Sequence, residues 1–139
     1  MSRSSQSAVF SKWGSVAVFV LAALLSNPIH AVEFASGEQV FSRCRACHAL
    51  ARNRVGPALC GVVGRKAGSM PGYPYSRAMA DWGKVWTENE LSSFLEDPMK
   101  ARPGTKMGYA GIKNDQERLA LIKFLAAAAV NSDLCVADN

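Results

Sequence analysis

The sequence predicts an all-α protein of three to four helices joined by two long loops, and three observations support this. Apolar residues recur at helical spacing in several segments, each preceded by a residue that can cap a helix. No segment of useful length alternates apolar and polar residues as a half-buried strand does. Glycine and proline are dense in residues 49–75 and 101–113, which is typical of loops.

The first helix is predicted over residues 36–45. Ser36 is a capping residue, and Gln39 follows it at the spacing of a capping box. Phe41 and Cys44 fall on one face of this helix. The helix therefore delivers a cysteine at its C-terminal end, where residues with distinctive chemistry begin.

Two shorter helices are predicted in the middle of the chain. The first covers residues 76–82 and takes the serine at its start as its cap. Thr87 and Glu90 have capping-box spacing and begin the second, whose apolar residues follow at i, i+3 and i+4. The pair Asp97-Pro98 ends that helix, because a proline disfavours helical backbone at the residue before it.

The last helix is the most clearly predicted element. It begins at Asn114, with Glu117 at capping-box spacing, and extends to about Val130. Leu121 and Leu125 belong to its broad apolar face. No regular structure is predicted for the tail that follows it.

Residues 44–48 read Cys-Arg-Ala-Cys-His, which is the attachment signature of c-type haem. Two thiols at this spacing reach the two vinyl groups on one edge of a porphyrin. The histidine that follows at once can then bind the iron. Cys44, Cys47 and His48 are therefore the predicted attachment and ligand residues of one covalent haem, around which the helices and loops wrap.

The cysteine pair has two other interpretations. A Cys-x-x-Cys pair is also half of a zinc site or a dithiol redox pair. A zinc site needs a second pair at comparable spacing, which Cys60 and Cys135 do not make. A thioredoxin-like dithiol site needs a preceding strand in a βαβ pattern, and the sequence shows none. Both interpretations are therefore less favoured than haem.

Residues 1–31 have the pattern of a cleavable signal peptide. Arg3 and Lys12 precede a continuous apolar stretch over residues 14–25, and a helix-breaking run ends at Ala31. The apolar stretch is short for a membrane span, which needs about 20 residues; an uncleaved anchor is the alternative. Export predicts the periplasm, and residues 32–139 then form one domain.

Signal cleavage limits the ligands of the iron. The chain has 2 histidines, and His30 would leave with the signal. His48 would then be the only histidine, which excludes two histidine ligands from one chain. The sixth ligand is left open at this point among methionine, lysine, an amine, tyrosine, water and none. The formal net charge of +5 loses two basic residues with the signal, and the remaining excess is too small to favour nucleic acid as a partner.

The chain resembles the class I cytochromes c, specifically the mitochondrial-type and bacterial cytochrome c2 group, from about Gly37 to Leu125. The resemblance rests on motifs in the family's order. They are Cys44-Arg45-Ala46-Cys47-His48, Val55-Gly56-Pro57, Gly64-Arg65-Lys66, Pro71-Gly72-Tyr73, Val85-Trp86-Thr87, Pro103-Gly104-Thr105-Lys106-Met107, Glu117-Arg118 and Leu121-Ile122. Only the first motif is short enough to arise often by chance, and together the motifs are specific. The resemblance implies the cytochrome c fold.

The resemblance also implies roles for individual residues. His48 and Met107 would be the axial ligands, and the Pro57 carbonyl would accept a hydrogen bond from the His48 ring. The residues expected at the haem propionates are Tyr75, Ser76, Trp86 and Thr105, with Arg65 as a nearby counter-charge. The residues expected to line the apolar pocket are Leu59, Val62, Leu95, Tyr109, Leu121 and Leu125. Gly37 and Phe41 would pack near Phe124.

This sequence departs from the family at three positions. Phe94 stands where a tyrosine is common near the methionine ligand, and Met79 stands where an asparagine often joins a buried water network. Met99 stands where a lysine often faces partners. The first two changes remove polar groups from the methionine side of the haem.

The two remaining cysteines are predicted to pair. Leftover thiols in an exported protein more often form a disulfide than stay reduced. In the family, the segment around Cys60 runs near the end of the C-terminal helix, which brings it within reach of Cys135. The alternative is two unrelated thiols.

The predicted function is one-electron transfer by a carrier that is not an enzyme. With both axial positions filled, haem has no open site for a substrate, and methionine–histidine ligation favours a raised potential. The protein would shuttle electrons, as a monomer, between a quinol-oxidising membrane complex and a terminal oxidase or a photosynthetic reaction centre. Basic residues beside the haem motifs would face acidic docking surfaces on these membrane complexes.

The alternatives to a carrier are an open-site haem protein that binds gas or peroxide, and a haem-binding subunit of a dehydrogenase assembly. An open site would lack a methionine ligand. A dehydrogenase subunit would be found together with its enzyme.

Overall fold

A computed structural model describes residues 36–129 and 132–137, and these contain six α-helical segments. Helix α1 covers residues 36–41 of the described part and continues into a 3₁₀ turn at Ser42–Cys44. The later helices are α2 (Arg77–Ala80), α3 (Glu88–Glu96), α4 (Pro98–Ala101), α5 (Asp115–Ala127) and α6 (Asp133–Ala137). The signal peptide predicted over 1–31 lies outside the described residues. The last helix was predicted to extend to about Val130, but α5 ends at Ala127, because the backbone of Ala128 (φ −77°, ψ 50°) leaves helical geometry.

Three of the predicted helix starts are confirmed by their caps. The Ser76 hydroxyl accepts a hydrogen bond from the Met79 backbone N–H at 3.2 Å. Thr87 accepts one from Glu90 at 3.1 Å. Asn114 accepts two, at 2.9 and 3.0 Å. Each cap satisfies backbone donors that have no partner inside the helix.

The first helix differs from its prediction at its C-terminal end. Ser36, predicted as the cap, is the first described residue and is helical. The α-helical part ends at residue 41 rather than 45, because Arg45 closes a 3₁₀ turn by donating its N–H to the Ser42 carbonyl at 3.3 Å. This tighter turn changes the direction of the chain immediately before Cys47 and His48.

The structure adds two short helices that the sequence did not predict. The pair Asp97-Pro98 ends α3 as expected, but it also begins α4. Asp97 accepts a hydrogen bond from the Lys100 N–H at 3.1 Å, and proline is favoured at the first position of a helix. Helix α6 lies in the tail for which no structure was predicted.

The core forms where α5 packs against α1 and α3. The Phe41 and Phe124 rings lie 5.2 Å apart. A side chain on Gly37 would place its Cβ 2.7 Å from the Phe124 Cβ, so glycine permits the close approach. This confirms the expected packing of Gly37 and Phe41 near Phe124. Burial of side chains such as Phe124 and Leu121 stabilises the fold by about 1.5–3 kcal/mol each.

Two long segments without regular secondary structure connect these helices, as the fold class predicts. Residues 45–76 contain turns and one partner of an isolated bridge between Lys66 and Val85. Residues 102–114 form the second segment. Cys60 in the first segment and Cys135 in α6 form a disulfide, with a Cα–Cα distance of 5.9 Å. Neither cysteine is therefore available as a zinc ligand.

No helix in the described part of the chain is both long enough and apolar enough to cross a membrane.

Candidate functional site

The two loops and helices α1, α3 and α5 line a deep cleft. The cleft holds about 1310 Å³ of space between atoms, its open mouth included. Its walls include every one of the predicted site residues outside the disulfide, namely Cys44, Cys47, His48, Tyr75, Trp86, Thr105 and Met107. The fold therefore brings together residues that are separated by more than half of the domain.

Cys44 and Cys47 lie at the entrance of the cleft on one tight turn. The N–H groups of Cys47 and His48 both donate to the Cys44 carbonyl, at 3.1 and 2.9 Å. Neither cysteine is in a disulfide; Cys44 is half-buried and Cys47 is exposed. Burial raises the pKa of the Cys44 thiol, while the positive charge of Arg43 acts in the opposite direction. Both sulfur atoms remain available for covalent attachment of a ligand.

His48 is held in one orientation by its two neighbours in space. Its Nδ1 donates to the Pro57 carbonyl at 2.9 Å, so Nε2 carries the lone pair that a metal requires. A side chain on Gly56 would place its Cβ within 2.6 Å of both ring nitrogens. Burial lowers the pKa of His48, and the Pro57 carbonyl opposes this shift. The ring is therefore kept neutral, as metal binding requires.

Met107 lies in the second loop and lines the same cleft as His48. Its backbone N–H donates to the buried Thr105 hydroxyl at 3.3 Å. The methionines of the cleft wall are Met79 and Met107, whereas Met70 and Met99 are not part of that wall. The structure thus narrows the possible methionine ligands of the described region to two.

The four residues expected at the propionates, together with Arg65, all line the cleft. The Tyr75 hydroxyl accepts a hydrogen bond from the Met70 N–H at 3.3 Å. Trp86 is buried, and its ring packs against those of Trp82 and Phe94 at centroid distances of 5.0 Å. Burial raises the pKa of Tyr75 above its usual value, so this phenol stays protonated and can donate.

Arg65 places a positive charge in the cleft wall. Its guanidinium donates to the carbonyls of Cys60 and Ala58, at 2.8 and 2.9 Å. Within the described ranges, no carboxylate forms an ion pair with it. Burial lowers the pKa of Arg65, although an arginine remains charged at neutral pH. A half-buried cation without a carboxylate partner suits a ligand that carries its own negative charge.

The residues of the cleft fit a haem on four counts. They provide two thiols outside any disulfide at the entrance, a neutral imidazole, a thioether and a cation. The remaining wall is mostly apolar and includes all six residues predicted to line the pocket, namely Leu59, Val62, Leu95, Tyr109, Leu121 and Leu125. Gly56 allows the imidazole to lie flat against the chain.

The prediction of the wall was incomplete. Leu91 of α3 lines the cleft together with Phe94, as do Val55 and Tyr73. The helical spacing of Leu91 and Phe94 places them on one face of α3 with Leu95, so their position in the wall could have been predicted. Val55 and Tyr73 both line the cleft and are joined by a hydrogen bond from the Tyr73 hydroxyl to the Val55 carbonyl, at 2.6 Å. No local sequence pattern predicts that bond.

Comparisons with known proteins agree with this site. The family described as Cytochrome c matches residues 34–129. Cytochrome c2 of Blastochloris viridis is 43% identical over 111 residues, which cover 78% of this chain and 87% of that protein. Cytochrome c2 of Agrobacterium tumefaciens is 48% identical over 103 residues, which cover 70% of this chain and 93% of that protein.

A solved structure matches as well. Cytochrome cH from Methylobacterium extorquens is 42% identical and superposes with a TM-score of 0.66, covering 67% of this chain and 96% of that one. The cytochrome c fold and the covalently attached haem c of this family therefore apply here, as does its role in electron transfer rather than in enzyme catalysis. The chain belongs to the cytochrome c family and is a class I cytochrome c of the c2 type.

Proposed function

We propose that this cytochrome is a soluble periplasmic carrier of single electrons. It would take them from a quinol-oxidising membrane complex and deliver them to a terminal oxidase or a photosynthetic reaction centre. The observation that carries the proposal is that a histidine and a methionine, His48 and Met107, both line one apolar cleft beside two attachment cysteines. Such a pair would supply two ligands to a haem iron held in the cleft.

In this proposal each ligand has its own support. Pro57 and Gly56 orient the His48 ring, and Thr105 restrains the backbone at Met107. When bound, haem c supplies reversible one-electron chemistry at a potential that methionine–histidine ligation raises. The buried side chains of the wall exclude water, which favours a small structural change between the two oxidation states.

Tyr75, Ser76, Trp86 and Thr105 are proposed to hold the propionates, with Arg65 as their counter-charge. Tyr75 and Thr105 each carry a hydroxyl in the cleft wall, and Arg65 supplies the positive charge. The Ser76 hydroxyl already accepts a bond from Met79 within its cap, and its proton remains available to donate. These groups fix the orientation of the ligand in the cleft.

Residues 1–31 are proposed to direct export and then be removed, with cleavage after Ala31. The motif order of a charged start, an apolar stretch and a helix-breaking run supports this. N-terminal sequencing of the protein from a periplasmic extract tests it. A first residue near Val32 is expected; a retained N-terminus in the membrane fraction would indicate an anchor instead.

The proposed partners carry acidic docking surfaces, and the carrier meets them as a monomer. Exposed Lys106 lines the mouth of the cleft, and exposed Lys113 lies in the same loop. Salt shortens the screening length from about 10 Å at 0.1 M to about 3 Å at 1 M. Association with an acidic partner should therefore slow steeply as salt rises.

The experiment measures oxidation of the reduced holoprotein by a purified terminal oxidase in stopped flow, at several salt concentrations. The charge reversal Lys113→Glu should slow association more than Lys84→Glu. The two are matched, because each exposed lysine has one carboxylate partner, Asp97 for Lys113 and Glu90 for Lys84. Lys106→Glu should also slow it more than Lys84→Glu. Equal effects of all three reversals would contradict a docking surface at the cleft mouth.

Separate measurements of redox reversibility, carbon monoxide binding and co-purification distinguish the carrier from its alternatives. A reversible one-electron couple without carbon monoxide binding supports a carrier with both ligand positions filled. Rapid carbon monoxide binding by the reduced protein would indicate an open site, and co-purification with a dehydrogenase would indicate an enzyme subunit.

A further inference from the structure

The cleft cation Arg65 rests on a backbone segment rather than on an acidic side chain. Its two terminal guanidinium nitrogens donate to the Cys60 carbonyl at 2.8 Å and to the Ala58 carbonyl at 2.9 Å. The position of the positive charge therefore depends on where residues 58–60 are held. Anything that moves the Cys60 carbonyl moves the charge with it.

Cys60 is held by the C-terminal part of the chain. Its sulfur is bonded to Cys135 of α6, and Cys135 is itself buried in the core. The next residue, Gly61, donates its N–H to the Ala128 carbonyl just beyond α5, at 2.8 Å. The Cys135 sulfur lies 3.4 Å from that same carbonyl. The disulfide, Gly61 and Ala128 thus fasten the segment under Arg65 to the end of α5.

We propose that Cys60 and Cys135 are positioning residues for Arg65, and that their disulfide raises the reduction potential of this cytochrome by holding the guanidinium at the cleft wall. The inference rests on the proposed function, because it concerns the potential of the group in the cleft. A disulfide that acted only on the unfolded chain would change the free energy of unfolding and leave the potential unchanged.

The sign of the effect follows from charge. Oxidation adds one positive charge in the cleft, and a nearby cation disfavours that added charge. Arg65 held at the wall therefore favours the reduced state and raises the potential. Breaking the disulfide lets residues 58–60 move, and the guanidinium gains access to water, where its field is screened more strongly. The potential should fall.

The test compares four holoproteins by spectroelectrochemistry: the parent, C60A/C135A, R65Q and the triple variant. We expect C60A/C135A to have a lower midpoint potential than the parent. We expect the same cysteine changes to cause a smaller shift, or none, in the R65Q background. An unchanged or raised potential in C60A/C135A would overturn the proposal, as would an undiminished shift in the absence of Arg65.

A stability control and a second route accompany this comparison. Ile122→Val destabilises α5 at a buried position outside the cleft wall and should leave the potential unchanged; a shift equal to that of C60A/C135A would show a generic effect and overturn the proposal. If C60A/C135A does not assemble, the disulfide of the folded parent is cleaved with a phosphine and the thiols are alkylated. The same fall is expected, and its absence overturns the proposal.

Failure of the proposed function looks different. A protein without a reversible one-electron couple fails as a carrier, whatever its disulfide does. A reversible couple whose midpoint potential is the same with and without the disulfide contradicts this inference and leaves the proposed function standing.

Discussion

The two sides of the cleft are built in different ways. On the histidine side, the His48 ring is buried, hydrogen-bonded to Pro57 and confined by Gly56. On the methionine side, Met107 is only partly buried and lies in a loop without regular secondary structure. One 3.3 Å hydrogen bond to the Thr105 hydroxyl restrains its backbone there. One proposed ligand is thus fixed by its surroundings, and the other proposed ligand is presented by a loop.

This difference indicates which side of the cleft opens at the lower free-energy cost. Segments with few buried contacts and irregular backbone open at a lower free-energy cost than the packed core. Residues 102–114 have irregular backbone and, apart from Thr105 and Ile112, exposed or half-buried side chains, whereas the attachment turn is joined to the core through α1 and the Pro57 carbonyl. We therefore expect the methionine side to open before the histidine side, and the same chemical change to have unequal effects on the two.

The largest effect is expected from adding one methyl group beside each ligand. Gly56→Ala places a Cβ within 2.6 Å of both His48 ring nitrogens, and such overpacking costs about 1–3 kcal/mol. Gly108→Ala is the matched change beside Met107, where a Cβ meets nothing within 4 Å. Gly56→Ala should lower the yield of holoprotein and the free energy of unfolding, measured by denaturant titration, whereas Gly108→Ala should not.

A loss of stability in Gly108→Ala as large as that in Gly56→Ala would remove the distinction between the two sides. Gly108 has no positive φ angle, so alanine there is not strained. Alanine lowers the conformational entropy of the unfolded chain relative to glycine, which stabilises the folded protein by about 0.4–1 kcal/mol.

An intermediate effect is expected at the restraint on Met107. Thr105→Val keeps the size of the side chain and removes the hydroxyl that accepts from the Met107 N–H. Losing such a bond costs about 1 kcal/mol. The loss destabilises the closed loop, with Met107 in place, relative to the open loop. Imidazole, which competes with the methionine, should bind the oxidised holoprotein about fivefold more tightly, as titration would show. Thr105→Ser keeps the hydroxyl and serves as the control; equal affinities in all three proteins would contradict the restraint.

The smallest effect concerns the ion pair on the histidine side. Arg43, just before the attachment cysteine, donates to both oxygens of Glu117 of α5 at 2.8 and 2.7 Å. The pair lowers the pKa of Glu117, through the hydrogen bond first and the charge of Arg43 second. Its stabilisation is therefore present above the ordinary carboxylate pKa and disappears as pH falls through the lowered one.

Glu117→Gln should accordingly be slightly less stable than the parent at neutral pH, and the two should converge in acid once Glu117 of the parent is protonated. Thermal unfolding at several pH values checks this. Because both partners are exposed, the effect should be small and should shrink with salt. A difference that persists unchanged in acid would assign the effect to packing rather than to charge.

Local patterns in the sequence predicted the helix caps and the attachment turn. Ser76, Thr87 and Asn114 each cap a helix through a hydrogen bond to a residue two or three positions away, so a short window contains all the relevant chemistry. The Cys44–His48 turn is equally local. No local pattern predicts that Met107 approaches the same cleft; that prediction came from the resemblance to a family.

Hydrogen bonds from polar side chains to backbone carbonyls were not predictable in this way. Arg118 is buried in α5 and donates to the carbonyls of Ile112 and Lys113, at 2.8 and 3.1 Å, which ties the end of the methionine loop. A buried arginine on an apolar helix face gives no sign of its acceptors, since they are backbone atoms that every residue has. Helix α6 is too short for a periodic pattern, and its position follows from the disulfide at Cys135.

The assignment of Met107 as the ligand presented by the loop is the central claim. The most direct test is the long-wavelength absorption band that iron–methionine bonding gives the oxidised holoprotein. Met79→Ala is the matched control, because Met79 also lines the cleft, while Met70 and Met99 do not.

We predict that Met107→Ala abolishes the band and lowers the reduction potential, and that alanine at each of the other three positions leaves the band in place. Loss of the band in Met79→Ala, with the band retained in Met107→Ala, would contradict the account.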